Sequence, residues 1–192
     1  TEASLGVSGG GFGVAAGLDL LGGRNALLGA FVSLESVELE EKGRGASPLR
    51  VANTSLGLYG GWRSGPFALN GAVSGGFADF NSERRIAVGS LSDTLTANWS
   101  GATATAATRA SYELALGAVE VKPYAGVDYT LVRQEGYAEQ SLNRSGAALT
   151  AGEGEQSLAT AGLGTEVSAD FGLGGEFRFK PRASVGYRSI LS

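Results

Sequence analysis

Residues 175–192 read GEFRFKPRASVGYRSILS, and their chemistry sorts by parity. Odd positions from Phe177 to Leu191 are Phe, Phe, Pro, Ala, Val, Tyr, Ser and Leu. Even positions from Glu176 to Arg188 are Glu, Arg, Lys, Arg, Ser, Gly and Arg. A strand sends successive side chains to opposite faces, so this stretch has one face free of charge and one crowded with it. The uncharged face runs over about eight positions, longer than the roughly 5–6 residues of a common soluble strand. A tilted membrane-spanning strand needs about 9–11 residues, apolar outward and polar inward. The stretch therefore predicts an antiparallel transmembrane β-barrel, an all-β fold.

The same alternation recurs upstream in seven further segments, near Gly10–Leu20, Asn25–Leu39, Val51–Arg63, Phe67–Phe77, Leu95–Leu114, Val119–Leu131 and Ser157–Phe171. In the sixth, Val119, Val121, Pro123, Ala125, Val127, Tyr129 and Leu131 oppose Glu120, Lys122, Tyr124, Gly126, Asp128 and Thr130. The connections alternate in length. Those at 22–24, 64–66, 117–118 and 172–175 are short, and those at 40–50, 81–94 and 137–156 are long. Short turns on one rim and long loops on the other are the plan of outer-membrane barrels, with the short turns periplasmic. Aromatic residues gather at the segment ends, as the two interfaces of a bilayer favour. Trp62, Phe67, Tyr112, Phe171, Phe177 and Phe179 lie toward the short turns; Phe77, Trp99, Tyr129 and Tyr187 lie toward the long loops.

Energetics decides which face is outside. A basic side chain on the lipid face costs about 2–4 kcal/mol at the midplane. Arg178, Lys180, Arg182 and Arg188 must therefore face a wet interior. There the acids Glu113, Glu120, Asp128, Glu166 and Asp170 on other strands can pair with basic residues. The candidate lining residues are Asp19, Arg63, Arg109, Glu113, Lys122, Asp128, Glu166, Asp170, Arg178, Arg182 and Arg188. Turn order sends the first segment toward the periplasm and the eighth away from it. Bacterial barrels have both termini periplasmic and an even strand count, so this reading expects further strands on both sides.

Composition agrees. The chain of 192 residues is 43% hydrophobic, with 32 Gly, and contains no run of 18 apolar residues that could cross a membrane as a helix. A formal charge of −4 argues against nucleic-acid binding. With no His and no Cys, a Ser-His-Asp triad, histidine metal ligands and a disulfide framework are all excluded. Gly11-Phe-Gly-Val-Ala-Ala16 has the spacing of a dinucleotide fingerprint, but strand-like Leu-Asp-Leu follows it where a helix is needed. The acid pairs Glu40/Glu41 and Glu153/Glu155 fall in long connections and read as solvated charge. Neither an enzymatic activity nor a cofactor is expected.

Three stretches carry a family resemblance: LYGGWRSGPFALNGAVSGGFADFNSERRI (Leu58 to Ile86), VKPYAGVDYTLVRQEGYAEQ (Val121 to Gln140) and GLDLLGGRNALLGAFVSL (Gly17 to Leu34). In order and spacing they resemble the autotransporter β-domain, the translocator of type V secretion, over nearly the whole chain as one domain, residues 1–192. The resemblance implies a twelve-stranded outer-membrane barrel, about eight strands of which lie here, with a helix threaded through its pore. It also implies export of an N-terminal passenger of the same polypeptide, with outer-membrane lipid and the barrel-assembly machinery as partners. Some members cut themselves at an Asn-Asn junction. No Asn-Asn pair occurs here, so no cleavage residue is carried over. The alternative is a porin-like or adhesive outer-membrane barrel.

Overall fold

The computed structural model describes residues 7–41, 47–89, 91–172 and 178–191. Eight long strands are β1 (Val7–Gly22), β2 (Ala26–Glu41), β3 (Pro48–Ser64), β4 (Phe67–Val88), β5 (Leu91–Tyr112), β6 (Val119–Gln134), β7 (Gly154–Ala169) and β8 (Arg182–Ile190). Each pairs antiparallel with the next, giving a meander in sequence order. Among the described residues β1 and β8 do not pair with each other. A short strand, Leu114–Leu116, follows β5 and also pairs with β6.

The short turns have the chemistry hairpins need. Ser64 pairs with Phe67 around Gly65-Pro66, and Leu116 with Val119 around Gly117-Ala118. Gly65 (φ 56°) and Gly117 (φ 68°) take positive φ, whereas Pro66 and Ala118 do not. Positive φ at the first central residue alone suits the right-handed twist of the flanking strands. In the first turn the Gly23 amide donates to the Ala26 carbonyl at 2.8 Å. Residues 173–175 of the expected turn and the centre of the 40–50 connection lie outside the described residues.

Register carries the sequence pattern across the sheet. Ala26 pairs with Trp62, Trp62 with Leu69, Leu69 with Ala110, Ala110 with Ala125, Ala125 with Leu163, and Leu163 with Tyr187. One uncharged row thus runs from β2 to β8. Beside it on the opposite face runs Asn70, Arg109, Gly126, Gly162 and Arg188. A one-residue slip anywhere would exchange the faces beyond that point. In β1 the register shifts between Asp19 and Leu21, so Leu20 is an extra, bulged residue. The bulge keeps Leu18 and Leu21 both on the apolar face.

Burial is inverted relative to a soluble sheet. Every buried residue among those described, including Ser33, Ser55, Ala68, Ala78, Asp93, Ala97, Ser111 and Thr160, lies on the face that carries the charges. Large apolar residues of the other face stand open: Phe12 is 76% exposed, Phe77 80% and Val185 75%. A flat sheet would shield its two faces alike. The sheet is therefore curled around its polar face, as a barrel wall is.

The structure corrects the sequence reading at several points. Residues 81–94 are not a loop; β4 and β5 stay paired from Phe67↔Tyr112 to Val88↔Leu91, with only 89–90 connecting them. Polar residues there carry no membrane pattern, but the ladder continues outside the bilayer because its inner side is covered by another segment. The last strand is shorter than its alternation suggested. Regular pairing with β7 begins at Arg182, after Pro181, which has no amide hydrogen to donate. Arg178–Phe179 instead pairs with Phe171–Gly172. Trp99 is not an interface residue on the lipid face. It has the inward parity of β5 and stacks between Phe80 (5.3 Å between ring centroids) and Tyr137 (4.0 Å). Glu155 is solvated charge as expected but is not in a loop: it lies in β7, and its exposed carboxylate binds the Arg133 guanidinium at 2.5 Å.

Candidate functional site

The outward face of β4 marks where lipid ends. Phe67, Leu69, Gly71, Val73, Gly75 and Phe77 are followed on the same face by Asp79, Asn81, Glu83 and Arg85. The apolar part spans about the 9–11 residues a tilted strand needs to cross the hydrocarbon. Its lower limit carries Trp62 and Phe67 in edge contact at 5.9 Å, with Tyr112 paired to Phe67. On β6 the same face is apolar to Leu131 and then meets Arg133. The remaining part of β4, about ten residues, stands beyond the bilayer together with β5.

The inner wall brings most of the expected lining residues together as ion pairs. Arg63 binds Glu113 at 3.1 Å, across the intervening strand β4. Arg188 on β8 reaches Asp128 on β6 at 3.5 Å, across β7, while Thr160 between them donates to the same carboxylate. Arg182 binds Glu166 at 3.2 Å and Lys180 binds Asp170 at 3.1 Å. Asp19 accepts a hydrogen bond from the Tyr59 hydroxyl at 2.5 Å. Arg109 lies over the Tyr124 ring, 4.4 Å from its centroid, a cation–π contact. Lys122 stands opposite Glu166 in register. The Arg178 side chain lies outside the described residues. Pairs that skip a strand cannot be read from sequence, because they depend on how sharply the sheet curls.

Small residues make room for this wall. A Cβ at Gly57 would lie 2.4 Å from the Phe31 ring, and one at Gly164 would lie 2.5 Å from the Tyr124 hydroxyl and 2.6 Å from the Val185 carbonyl. Phe31 and Tyr124 thus lie down on the inner surface instead of projecting into the lumen.

Beyond the bilayer the β6–β7 connection folds over the inner side of the β4–β5 hairpin. Its short strand Gln140–Ser141 pairs with β5, Leu95 opposite Ser141 and Thr96 opposite Gln140. Arg84 grips Glu139 through both nitrogens (Nε–Oε1 3.0 Å, Nη2–Oε2 2.5 Å), and Glu139 also accepts the Leu149 amide at 2.9 Å. Asp93 accepts the hydroxyls of Ser141 and Ser145 and the amides of Asn143 (2.9 Å) and Thr94 (2.8 Å). The two serine hydroxyls above all hold the Asp93 carboxyl below the usual carboxylate range, and the Arg84 guanidinium lowers Glu139 likewise. Leu95 is completely buried beneath this cover. Sequence reasoning missed the cluster because its members lie far apart in the chain and their only signal is polarity.

Among the described residues no group of His, Cys, Asp or Glu is arranged to hold a metal ion. A curled meander with a lipid-facing apolar band and a charged inner wall defines the class, an outer-membrane β-barrel. The chain belongs to the autotransporter beta-domain family, which it matches over residues 1–192. Its fold is similar to that of the translocator domain of the autotransporter NalP from Neisseria meningitidis, with a TM-score of 0.79 at 14% identity; it covers 100% of this chain and 64% of that one. It is also similar to the beta domain of the Bordetella autotransporter BrkA, with a TM-score of 0.71 at 16% identity over 96% of this chain and 73% of that one. No curated protein matches the chain in sequence.

Proposed function

We propose that the chain forms part of the wall of a conduit that carries an N-terminal passenger of the same polypeptide across the outer membrane. The observation that carries this reading is the curled sheet, whose inner face carries charges paired with one another while a continuous uncharged row runs across its outer face. Paired charges leave the surface wettable without a strong single-sign field, which suits passage of an unfolded chain of mixed sequence. The proposed role involves no covalent chemistry, cofactor or metal. Its partners are outer-membrane lipid on the apolar face, the passenger in the lumen, and the barrel-assembly machinery during insertion.

The test is surface display. In the full-length protein, deletion of this chain should leave the passenger inside the cell, protected from added protease, while the intact protein exposes it. Equal surface exposure of the passenger with and without the chain would refute the role.

A further inference from the structure

Arginines of the inner face are paired with acids, with one exception. Among the described residues Arg63, Arg84, Arg182 and Arg188 each hold a carboxylate, the longest contact being 3.5 Å. Arg109 holds none; its guanidinium lies over the Tyr124 ring, 4.4 Å from the centroid. It also sits at membrane depth, because its ladder partner Asn70 falls between Leu69 and Gly71 of the apolar band. An ionisable side chain at that depth turns to a wet cavity, takes an opposite charge and marks a path or a site. We propose that Arg109, held on Tyr124 and beside Asn70, is the seat of one carboxylate group that the described chain does not itself supply. Such a guest needs only a wet inner face, not passage of a passenger, so the site does not depend on the conduit reading.

Space, charge and geometry agree on the guest. The row that carries Arg109 continues through Gly126 and Gly162 to Arg188, so the two strands between the arginines present no side chain there. They floor an open hollow of about 670 Å³, a size that ligand pockets commonly have. The charged residues that line it are Arg109, Arg188 and Asp128, and Asp128 is taken by Arg188. One positive charge is left, which a single carboxylate balances and a dianionic phosphate would exceed. The contact with Tyr124 uses the face of the guanidinium and none of its N–H groups. The N–H edge therefore stays available, and its fork matches the two oxygens of a carboxylate. Directly opposite residues of an antiparallel pair bring their side chains side by side, so the Asn70 amide can donate to the same guest.

The experiment uses the full-length protein in detergent micelles, with heat-modifiable gel migration as the check that each variant is folded. Phenylglyoxal modifies accessible arginines, and mass spectrometry maps which have reacted. Sodium acetate should shield Arg109 from the reagent, whereas sodium chloride at the same ionic strength should not. The exposed Arg50 and Arg133, already bound to Glu38 and Glu155, should react alike in both salts. A short peptide with blocked termini and one Glu, beside its Gln counterpart, separates the sources of the carboxylate. Shielding by the Glu peptide at a lower concentration than acetate would place the group on a polypeptide; shielding at an equal concentration would assign a free small acid, and either supports the site. Tyr124→Leu should raise the acetate needed about threefold, the loss of an exposed cation–π contact. Equal labelling of Arg109 with and without acetate would overturn the site. So would equal shielding by chloride or by the Gln peptide, or unchanged shielding in the folded Tyr124→Leu protein.

Discussion

At the scale of single residues, inner-wall space is set by atoms that are absent. A methyl group at Gly57 would collide with the Phe31 ring and come within 2.6 Å of the Val73 carbonyl, and the backbone cannot yield as a side-chain tip can. Gly57→Ala should cost about 1–3 kcal/mol, as overpacking does, and lower the temperature at which the folded band is lost on a gel. Arg182 is different, because its pair with Glu166 is largely solvated. Arg182→Leu should change stability by only about 0–1 kcal/mol and alter the ion selectivity of the pore; unchanged selectivity would remove Arg182 from the lining. Asp93 and Glu139 have a definite pH sign. Both carboxyls are depressed in the folded state, so their contribution is complete at neutral pH and lost only as pH falls through the lowered values. Hydrogen exchange at the Asn143 amide, which donates to Asp93, should therefore stay protected down to about pH 5, after correction for the intrinsic rate, and lose protection well below the ordinary Asp value of about 3.9. Asp93→Ala should expose that amide already at neutral pH.

At the scale of elements, β4 shows how one strand serves two solvents. Its outward side chains are apolar from Phe67 to Phe77 and polar from Asp79 onward. A cation placed on that face should be penalised by depth. Val73→Arg should cost about 2–4 kcal/mol and reduce the assembled barrel, whereas Asp79→Arg near the rim should cost about 0–1 kcal/mol. Equal yields of folded protein from the two variants would contradict the placement of the bilayer. The hairpin beyond the membrane was hidden from pattern reading, because residues 81–94 lose the apolar alternation once lipid is gone. Their pairing is maintained by the β4–β5 ladder itself and by the covering segment, whose Tyr137 stacks on Trp99 of β5.

For the molecule as a whole, the inverted burial makes a direct solution prediction. With Phe12, Phe77 and Val185 open on one face, the protein should partition into detergent micelles and aggregate when detergent is removed. Migration as a compact band before heating and a slower one after it would report the barrel-like state. A monodisperse, detergent-free solution would refute the membrane assignment.

Alternation in the amino-acid sequence determined the membrane-spanning parts of most strands, the short connections at Gly65 and Gly117, and which face carries the charges, because side-chain period and the cost of charge in hydrocarbon are local properties. The tertiary structure alone decided which charges meet, where the β1 bulge restores register, and how the distant residues Arg84, Asp93 and Glu139 hold one segment against the β4–β5 hairpin. Those outcomes depend on curl and on the docking of segments far apart in the chain, and neither leaves a periodic trace.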